Sequence, residues 1–182
     1  MKKLVLSAVA LSICFVQPAL AQEVKSRGSE AISLGVTSDS GRIGYWHKVN
    51  DANSYGGDFS FAYSDSSHND IQSYEFSPGI RHYLLPDKAI SPYLYGALMG
   101  RYGVSHSSQP DWKSRMESYT VGVKGGIGLE WFPVQSVSIA GHVGVVAAYD
   151  KFHSVATLST SSTTEDFFIG TTSSGLLLNL YF

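Results

Sequence analysis

Alternation between apolar and other residues is the feature of this sequence that most limits its possible folds. The stretch 136–149 shows it most clearly, because its residues divide into two interleaved sets. One face carries Val137, Ile139, Val143, Val145, Ala147 and Tyr149, and the other carries Ser138, Ala140, His142 and Gly144. A period of two is typical of β-strands, in which successive side chains point to opposite faces. Convincing helical periodicity is absent, so we predict an all-β fold.

The same alternation predicts eight strands. They are 30–37, 42–49, 54–64, 71–83, 92–105, 119–131, 136–149 and a last strand that ends at Phe182. The connectors between them fall into two classes that alternate along the chain. Those at 50–53, 84–91 and 133–135 are shorter, whereas those at 65–70, 106–115 and 150–166 are polar, rich in serine and mostly longer. Short turns alternating with longer loops are typical of outer-membrane barrels, although the first outer loop, 38–41, is also short.

The charges on the polar faces separate a membrane barrel from a soluble sheet. In a soluble sheet the polar face meets water, whereas in a membrane barrel the apolar face meets lipid and the lumen holds the charges. The predicted inner face carries Arg42, Asp58, Glu75, Arg81, Lys124, Glu130 and His142. Opposite charges across a narrow lumen can compensate each other, and eight strands leave room for little else. We therefore predict an eight-stranded antiparallel up-and-down transmembrane β-barrel with a structural charge network and no open pore.

Further details of this barrel follow from the same pattern. On the hairpin formed by the sixth and seventh strands, we expect Lys124 and His142 to be direct or diagonal neighbours. In strand 92–105 we place Leu94, Leu98 and Tyr102 against lipid, because the opposite phase would put Arg101 in hydrocarbon at a cost of ~2–4 kcal/mol. The expected aromatic girdles are Tyr83, Trp131 and Phe182 toward the periplasm and Tyr63 and Tyr149 toward the outside.

The first 21 residues have the form of an export signal. Lys2 and Lys3 precede an apolar run from Leu4 to Val16, and Ala19-Leu20-Ala21 has the shape of a cleavage site. The run is shorter than the ~20 residues of a membrane-spanning helix. We therefore predict that residues 1–21 are a cleaved signal peptide and that residues 22–182 form the barrel domain.

The predicted mature chain has a composition that excludes several classes of function. It lacks cysteine, because the only one, Cys14, lies in the signal peptide. It keeps 11 basic and 15 acidic residues, a formal charge of −4. An acidic chain without a basic cluster argues against a nucleic-acid partner, and no thiolate metal site is expected.

Several segments resemble the small outer-membrane β-barrel family of opacity proteins, OmpX-like proteins and OmpA barrels. They are Gly126-Ile-Gly-Leu-Glu-Trp-Phe-Pro, Val137-Ser-Ile-Ala-Gly-His-Val-Gly, Ser91-Pro-Tyr-Leu-Tyr-Gly-Ala and the ending Gly175-Leu-Leu-Leu-Asn-Leu-Tyr-Phe. The resemblance implies the outer membrane of a Gram-negative bacterium, contact with lipid and lipopolysaccharide, and no cofactor. It also implies that the assembly machinery reads the last strand with its terminal Phe182. The family includes adhesins, envelope-stability proteins and immune-evasion factors, so it does not specify an activity.

Two groups of loop residues suggest more specific chemistry. His106, Ser108 and Glu117 follow the order used by lipid A deacylases, in which a histidine base activates a serine. However, the following Gln109-Pro-Asp-Trp does not match that family, and a His-x-Ser match arises easily by chance in a serine-rich loop. Asp65, His68 and Asp70 could serve a protease or a metal site, but a polar loop tip explains them, so we predict no metal.

The remaining loops favour a binding role. Trp112 lies among charged residues, and an exposed tryptophan can contact a host surface, a phage or lipopolysaccharide. We predict a non-enzymatic barrel that is structural or adhesive and acts through its external loops. The alternatives are a deacylase using His106, Ser108 and Glu117, and a small channel.

Overall fold

Antiparallel β-strands make up nearly all of the described chain. A computed structural model describes residues 28–37, 40–66, 69–109, 112–156, 159–172 and 175–182. Its strands are β1 (Glu30–Thr37), β2 (Gly41–Asn50), β3 (Asn53–Ser66), β4 (Asn69–Tyr83), β5 (Ile90–Gln109), β6 (Trp112–Val134), β7 (Val137–Ala156), β8 (Ser159–Thr171) and β9 (Gly175–Tyr181). The described residues include no helix that is long and apolar enough to cross a membrane. The predicted signal peptide, 1–21, lies outside the described residues.

The sheet closes on itself as a ring of eight strand positions. Each strand from β1 to β7 pairs with the next, β7 pairs with β9, and β9 pairs with β1. The eighth position is shared, because residues 137–142 of β7 pair with β9 and residues 145–156 pair with β8. Closure gives the backbone groups partners within the protein, which a lipid environment demands. The predicted eight-stranded antiparallel barrel is therefore confirmed.

The two faces of the barrel have the polarity of a membrane protein. Its exterior exposes aliphatic and aromatic side chains along every wall, among them Leu98, Val121, Ile127 and Ile169. Its interior instead buries polar groups: Ser33, Ser60, Glu75, Arg81, Thr120, Glu130, Ser138 and Asn179. Apolar residues cover the outside because lipid is the solvent there, and polar residues fill the lumen.

The predicted phase of β5 agrees with the structure. Leu94 and Leu98 are exposed on the exterior, whereas Arg101 turns inward and donates two hydrogen bonds to Glu75. Four of the five predicted girdle residues are also exposed; these are Trp131, Phe182, Tyr63 and Tyr149. The prediction for Tyr83 was wrong. This ring is only 5% exposed, because Tyr83 shares its phase in β4 with Glu75 and Arg81 and points into the lumen.

The two ends of the barrel differ. Short connections at 51–52, 84–89 and 135–136 lie at the end where β1 starts and β9 finishes, and we call this the turn end. At the opposite, hairpin end the strands continue far beyond membrane thickness. β5 and β7 have 20 residues each and β6 has 23, whereas 9–11 residues span a bilayer. The excess is about ten residues, or roughly 30 Å of extended chain, in each strand.

The long external loops were predicted wrongly. Residues 106–109 continue β5, residues 112–115 begin β6, and most of 150–166 belongs to β7 and β8. The residues of 65–70 that the structure describes likewise pair across the β3–β4 hairpin, Asp65 directly opposite Asp70. Serine and threonine hide the alternation here, because both faces of an extended ribbon are polar where it meets water.

The wall at the hairpin end is uneven. β1 ends at Thr37 and β2 begins at Gly41, which lies opposite Phe61, while β3 continues to Ser66. In the described residues, β8 pairs only with β7. The wall is therefore high from β3 round to β8 and low at β1 and β2.

The expected pairing of Lys124 with His142 was also wrong. Lys124 lies opposite Val146, and His142 lies opposite Gly128. The turn sits at 135–136 rather than 133–135, and the register shifts between Trp131 and Val134. This shift moves the two side chains four positions apart along the hairpin.

Candidate functional site

The lumen near the turn end is filled by a hydrogen-bonded group that we call the Glu130 cluster. Its members are Glu130, Tyr83, Ser138, Asn179 and Tyr181. Glu130 accepts hydrogen bonds from Tyr83 at 2.6 Å, Asn179 at 2.7 Å and Tyr181 at 2.8 Å, and from the Ser138 hydroxyl. These donors come from β4, β7 and β9, so the cluster ties distant parts of the wall together.

The Glu130 cluster closes the turn end of the lumen. Glu130, Ser138 and Asn179 have no solvent-exposed surface. Aromatic rings add to the seal, with Tyr83 against Tyr93 at 5.5 Å and Phe132 against Tyr181 at 5.4 Å between ring centroids. A buried carboxylate that accepts from hydroxyl and amide donors on several strands acts as a structural tie between those strands.

A second group, the Glu75 cluster, lies farther toward the hairpin end. Glu75 forms an ion pair with Lys124 and another with Arg101, whose Nη2 lies 2.7 Å from Oε2. Ser77 donates a hydrogen bond to the same carboxylate at 3.0 Å. Glu75 and Lys124 are largely buried, whereas 47% of the Arg101 side chain is exposed. One carboxylate thus holds two cations, and the cluster opens to solvent on the Arg101 side.

The remaining inner charges surround Trp46. The Arg81 guanidinium lies 3.7 Å from the centroid of the Trp46 ring, a cation–π contact, and the indole Nε1 donates to Asp58 at 3.3 Å. Arg42 Nη1 donates to His142 Nε2 at 3.4 Å. The other nitrogen of this ring, Nδ1, lies 3.5 Å from the Tyr93 hydroxyl. A neutral imidazole satisfies both contacts by accepting at Nε2 and donating at Nδ1.

A cavity of about 230 Å³ lies between these groups. All seven residues of the predicted lumen network face the interior, but they form separate groups, and Glu130 is not part of the cavity lining. Sequence reasoning left four important partners out of the network: Trp46, Arg101, Asn179 and Tyr181. The alternation places all four side chains inside the barrel. The side chain that each of them meets across the lumen depends on how the closed ring aligns its strands.

The three residues of the deacylase alternative lie on one outward face of the β5–β6 ribbon. Ser108 is two residues from His106 on the same strand face, and Glu117 lies opposite Val104, diagonal to His106. His106 is directly opposite Arg115, and Glu117 Oε1 pairs with Arg115 Nη2 at 2.6 Å. Among the described hydrogen bonds, none joins His106 to Ser108 or Glu117. The structure thus brings the residues to one face without forming a relay.

The other predicted site residues lie at the hairpin tips. Asp65 and Asp70 are cross-strand partners, while His68 lies outside the described residues. No group of three or more His, Cys, Asp and Glu side chains within the described ranges could hold a metal ion. Trp112 is the first residue of β6, paired with Gln109, rather than a loop residue, and its side chain lies outside the described part of the structure.

Comparisons with known proteins found similarity to solved structures, but no family model and no curated protein matches the chain. A major outer membrane protein from Thermus thermophilus is similar in structure, with a TM-score of 0.61 and 11% identity, covering 84% of this chain and 98% of that one. The N-terminal β-barrel domain of Pseudomonas aeruginosa OprF has a TM-score of 0.42 at 14% identity, over 86% and 98% of the two chains. Neisserial surface protein A has a TM-score of 0.46 at 15% identity, over 84% and 93%.

The Thermus similarity covers nearly the whole of that protein, and it agrees with the closed ring, the apolar exterior and the polar lumen found above. At this identity the likeness concerns the fold. The chain therefore has the fold of a small outer-membrane β-barrel protein.

Proposed function

We propose that this protein is a non-enzymatic outer-membrane barrel that acts at the cell surface through its hairpin end. The observation that carries this proposal is the length of β5, β6 and β7, each of which has about ten residues more than a bilayer needs. Short turns of such barrels face the periplasm and long connections face outward. The turn end accordingly faces the periplasm, and the ribbons stand above the outer leaflet.

The chemistry of the ribbons suits contact with a surface. Residues 161–167 are all exposed and consist mainly of Ser, Thr and acidic residues, and Met116 and Val155 add exposed apolar side chains. Paired strands hold these groups in a fixed arrangement, so less conformational entropy is lost on binding than for a mobile loop. A host or abiotic surface, or another envelope component, is the partner that this arrangement favours.

The proposal also assigns partners to the rest of the molecule. Outer-membrane lipid and lipopolysaccharide cover the apolar exterior. The assembly machinery recognises the last strand, β9, with Phe182. This strand has one apolar outer face, since Leu176, Leu178 and Leu180 point outward and Leu177 and Asn179 point inward.

Trimming the tips of the β5–β6 and β7–β8 ribbons tests the surface-binding role. Cells that express the wild type are compared with cells in which residues 107–114 are replaced by Asn-Gly and residues 155–163 by a second short turn. We expect equal amounts of heat-modifiable protein in the outer membrane and at least several-fold lower adhesion to epithelial cells and to plastic. Unchanged adhesion, with unchanged resistance of the cells to detergent, would contradict both the adhesive and the structural role.

A second candidate function, lipid A deacylation, is favoured by one observation. His106, Ser108 and Glu117 share one outward face of the β5–β6 ribbon. Against it, Glu117 is engaged by Arg115. Mass spectrometry of lipid A from cells that express the wild type or Ser108→Ala separates the two functions. We expect identical acylation patterns, and a missing acyl chain only in wild-type cells would establish the enzyme.

A further inference from the structure

The lumen cavity carries an excess of positive charge. Four cationic side chains line it, Arg42, Arg81, Arg101 and Lys124, against two carboxylates, Asp58 and Glu75. Glu75 already holds both Lys124 and Arg101, and Asp58 accepts from the Trp46 indole. The charge inside the cavity is therefore not balanced by the protein groups that line it.

Arg42 is the cation whose bonding is incomplete. Its Nη1 donates to a histidine nitrogen rather than to a carboxylate, over a long 3.4 Å. Its Nε is buried and has no hydrogen-bond partner among the described residues. A buried donor on a charged group is costly to leave unsatisfied, so its presence in a lumen indicates a missing acceptor.

Among the described residues, the cavity is closed at the turn end and open toward the hairpin end. The Glu130 cluster, in which Glu130, Ser138 and Asn179 are fully buried, closes the turn end, whereas Arg101 is half exposed toward the hairpin end. A smaller cavity of about 80 Å³ adjoins it there and shares Arg42, Glu75 and Arg101 in its lining. At about 230 Å³ the main cavity greatly exceeds the ~10–15 Å³ that one water molecule requires. The arrangement is a blind pocket with room for water and a small solute, and it opens toward the hairpin end.

We propose that this pocket binds a small oxyanion, of the phosphate or carboxylate class, against Arg42. Arginine presents its Nε–H and an Nη–H in the fork that pairs with two oxygens of such an anion. The pocket wall adds Arg101 and Lys124, which attract an anion from the hairpin end while they stay paired with Glu75. The bound anion supplies the acceptor that Arg42 lacks and offsets the excess charge.

Titration of the folded barrel tests the proposal. The full-length protein is refolded in a neutral detergent, and inorganic phosphate is added at constant ionic strength while heat is recorded by isothermal titration calorimetry. We expect saturable binding with one site per barrel. No saturable heat with phosphate, nor with acetate or succinate as carboxylate probes, would overturn the proposal.

Substitutions of Arg42 test whether the anion binds at this residue. Arg42→Gln removes the charge and is expected to weaken phosphate binding at least tenfold, while Arg42→Lys keeps the charge, loses the fork and gives a smaller loss. Arg115→Gln is the matched control, because this arginine lies on the β5–β6 ribbon outside the cavity. Equal affinities of Arg42→Gln and wild type, with both shown to be folded by heat modifiability, would also overturn the proposal. If Arg42→Gln does not fold, the titrations of the wild type and of Arg42→Lys still test anion binding at Arg42.

The same phosphate chemistry could come from a free anion or from a lipid headgroup. Repeating the titration with micelles that contain phosphatidylglycerol distinguishes them. Unchanged phosphate affinity identifies a free anion as the ligand. If the lipid competes with phosphate for the wild type but not for Arg42→Gln, a lipid headgroup reaches the same site. If the lipid still competes with phosphate in this variant, the assignment to Arg42 is contradicted.

Discussion

Glu130 is a carboxylate buried among uncharged donors, and its substitution is the most direct residue-scale test of the structure. A glutamine has nearly the same shape but replaces one acceptor oxygen with an NH₂ group, which would face hydroxyl and amide donors. We expect Glu130→Gln to lower the free energy of unfolding by about 1–3 kcal/mol. Urea unfolding in lipid vesicles measures this. Glu165→Gln on β8 removes an exposed ion pair with Lys151, which solvent screens, and should change the value far less, so equal losses for both variants would contradict the cluster.

The Glu75–Lys124 pair makes a second residue-scale prediction. Removing one member of a buried pair leaves the other charge uncompensated, at ~3–5 kcal/mol in a dry interior. The adjoining cavity, which has room for water, and the exposed Arg101 reduce this, so we expect about 1–3 kcal/mol for Glu75→Gln. Lys124→Met in the same chain should recover part of the loss. A double-mutant cycle measures this coupling, and strictly additive losses would show that the two groups do not interact.

Gly128 makes room for an aromatic ring inside the barrel. It lies directly opposite Tyr93, and a Cβ at this position would overlap the Tyr93 ring. We expect Gly128→Ala to cost about 1–3 kcal/mol of unfolding free energy by displacing this ring. Gly100→Ala is the matched control, because a Cβ there has nothing within 4 Å. The same urea titration checks both, and a neutral Gly128→Ala would contradict the packing.

The phase of individual residues was readable from the sequence, but their partners were not. The alternation correctly places Arg101 and Glu75 inside, because a charged side chain is unfavourable in lipid. The prediction for Tyr83 was wrong because an aromatic residue at a strand end can belong to a girdle or to the lumen. Tyr83 lies two residues after the inward-facing Arg81, and this spacing puts it in the lumen. The meeting of Glu130 with Asn179, 49 residues away, depends on the register of a closed ring, which no local pattern encodes.

At the scale of elements, the β5–β6 ribbon is an extension that the barrel does not need. Its outer residues contact neighbouring ribbons rather than the Glu130 and Glu75 clusters that tie the wall. We expect the replacement of residues 107–114 by Asn-Gly, a favoured hairpin turn, to leave a folded barrel. Unboiled protein should still migrate as a compact, heat-modifiable band. Loss of this band would show that the ribbon is required for closure.

The transmembrane parts of the strands were predictable because one of their faces meets lipid. Residues 119–131 and 136–149 alternate strongly for that reason, and the limits of their strands are predicted to within three residues at the turn end but fall seven residues short at the hairpin end. At the hairpin end, polar residues occupy both phases of 159–166, as expected for a ribbon that meets water, and the alternation disappears. Composition there resembles a loop, although cross-strand pairing makes it a strand.

At the scale of the whole molecule, the lumen is a pocket with a sealed base rather than a channel. An ion that entered from the hairpin end would have to displace the Glu130 cluster, whose core is fully buried and whose hydrogen bonds span β4, β6, β7 and β9. We therefore expect no conductance steps from the wild type in planar lipid bilayers. Truncating the two tyrosines in Tyr83→Ala/Tyr181→Ala removes the bulk of the seal and should produce steps, provided that the variant remains heat-modifiable. Regular steps from the wild type would contradict the sealed base. A folded but silent double variant would show that other side chains close the lumen, since the wall itself, with eight strands, leaves little space beyond its own side chains.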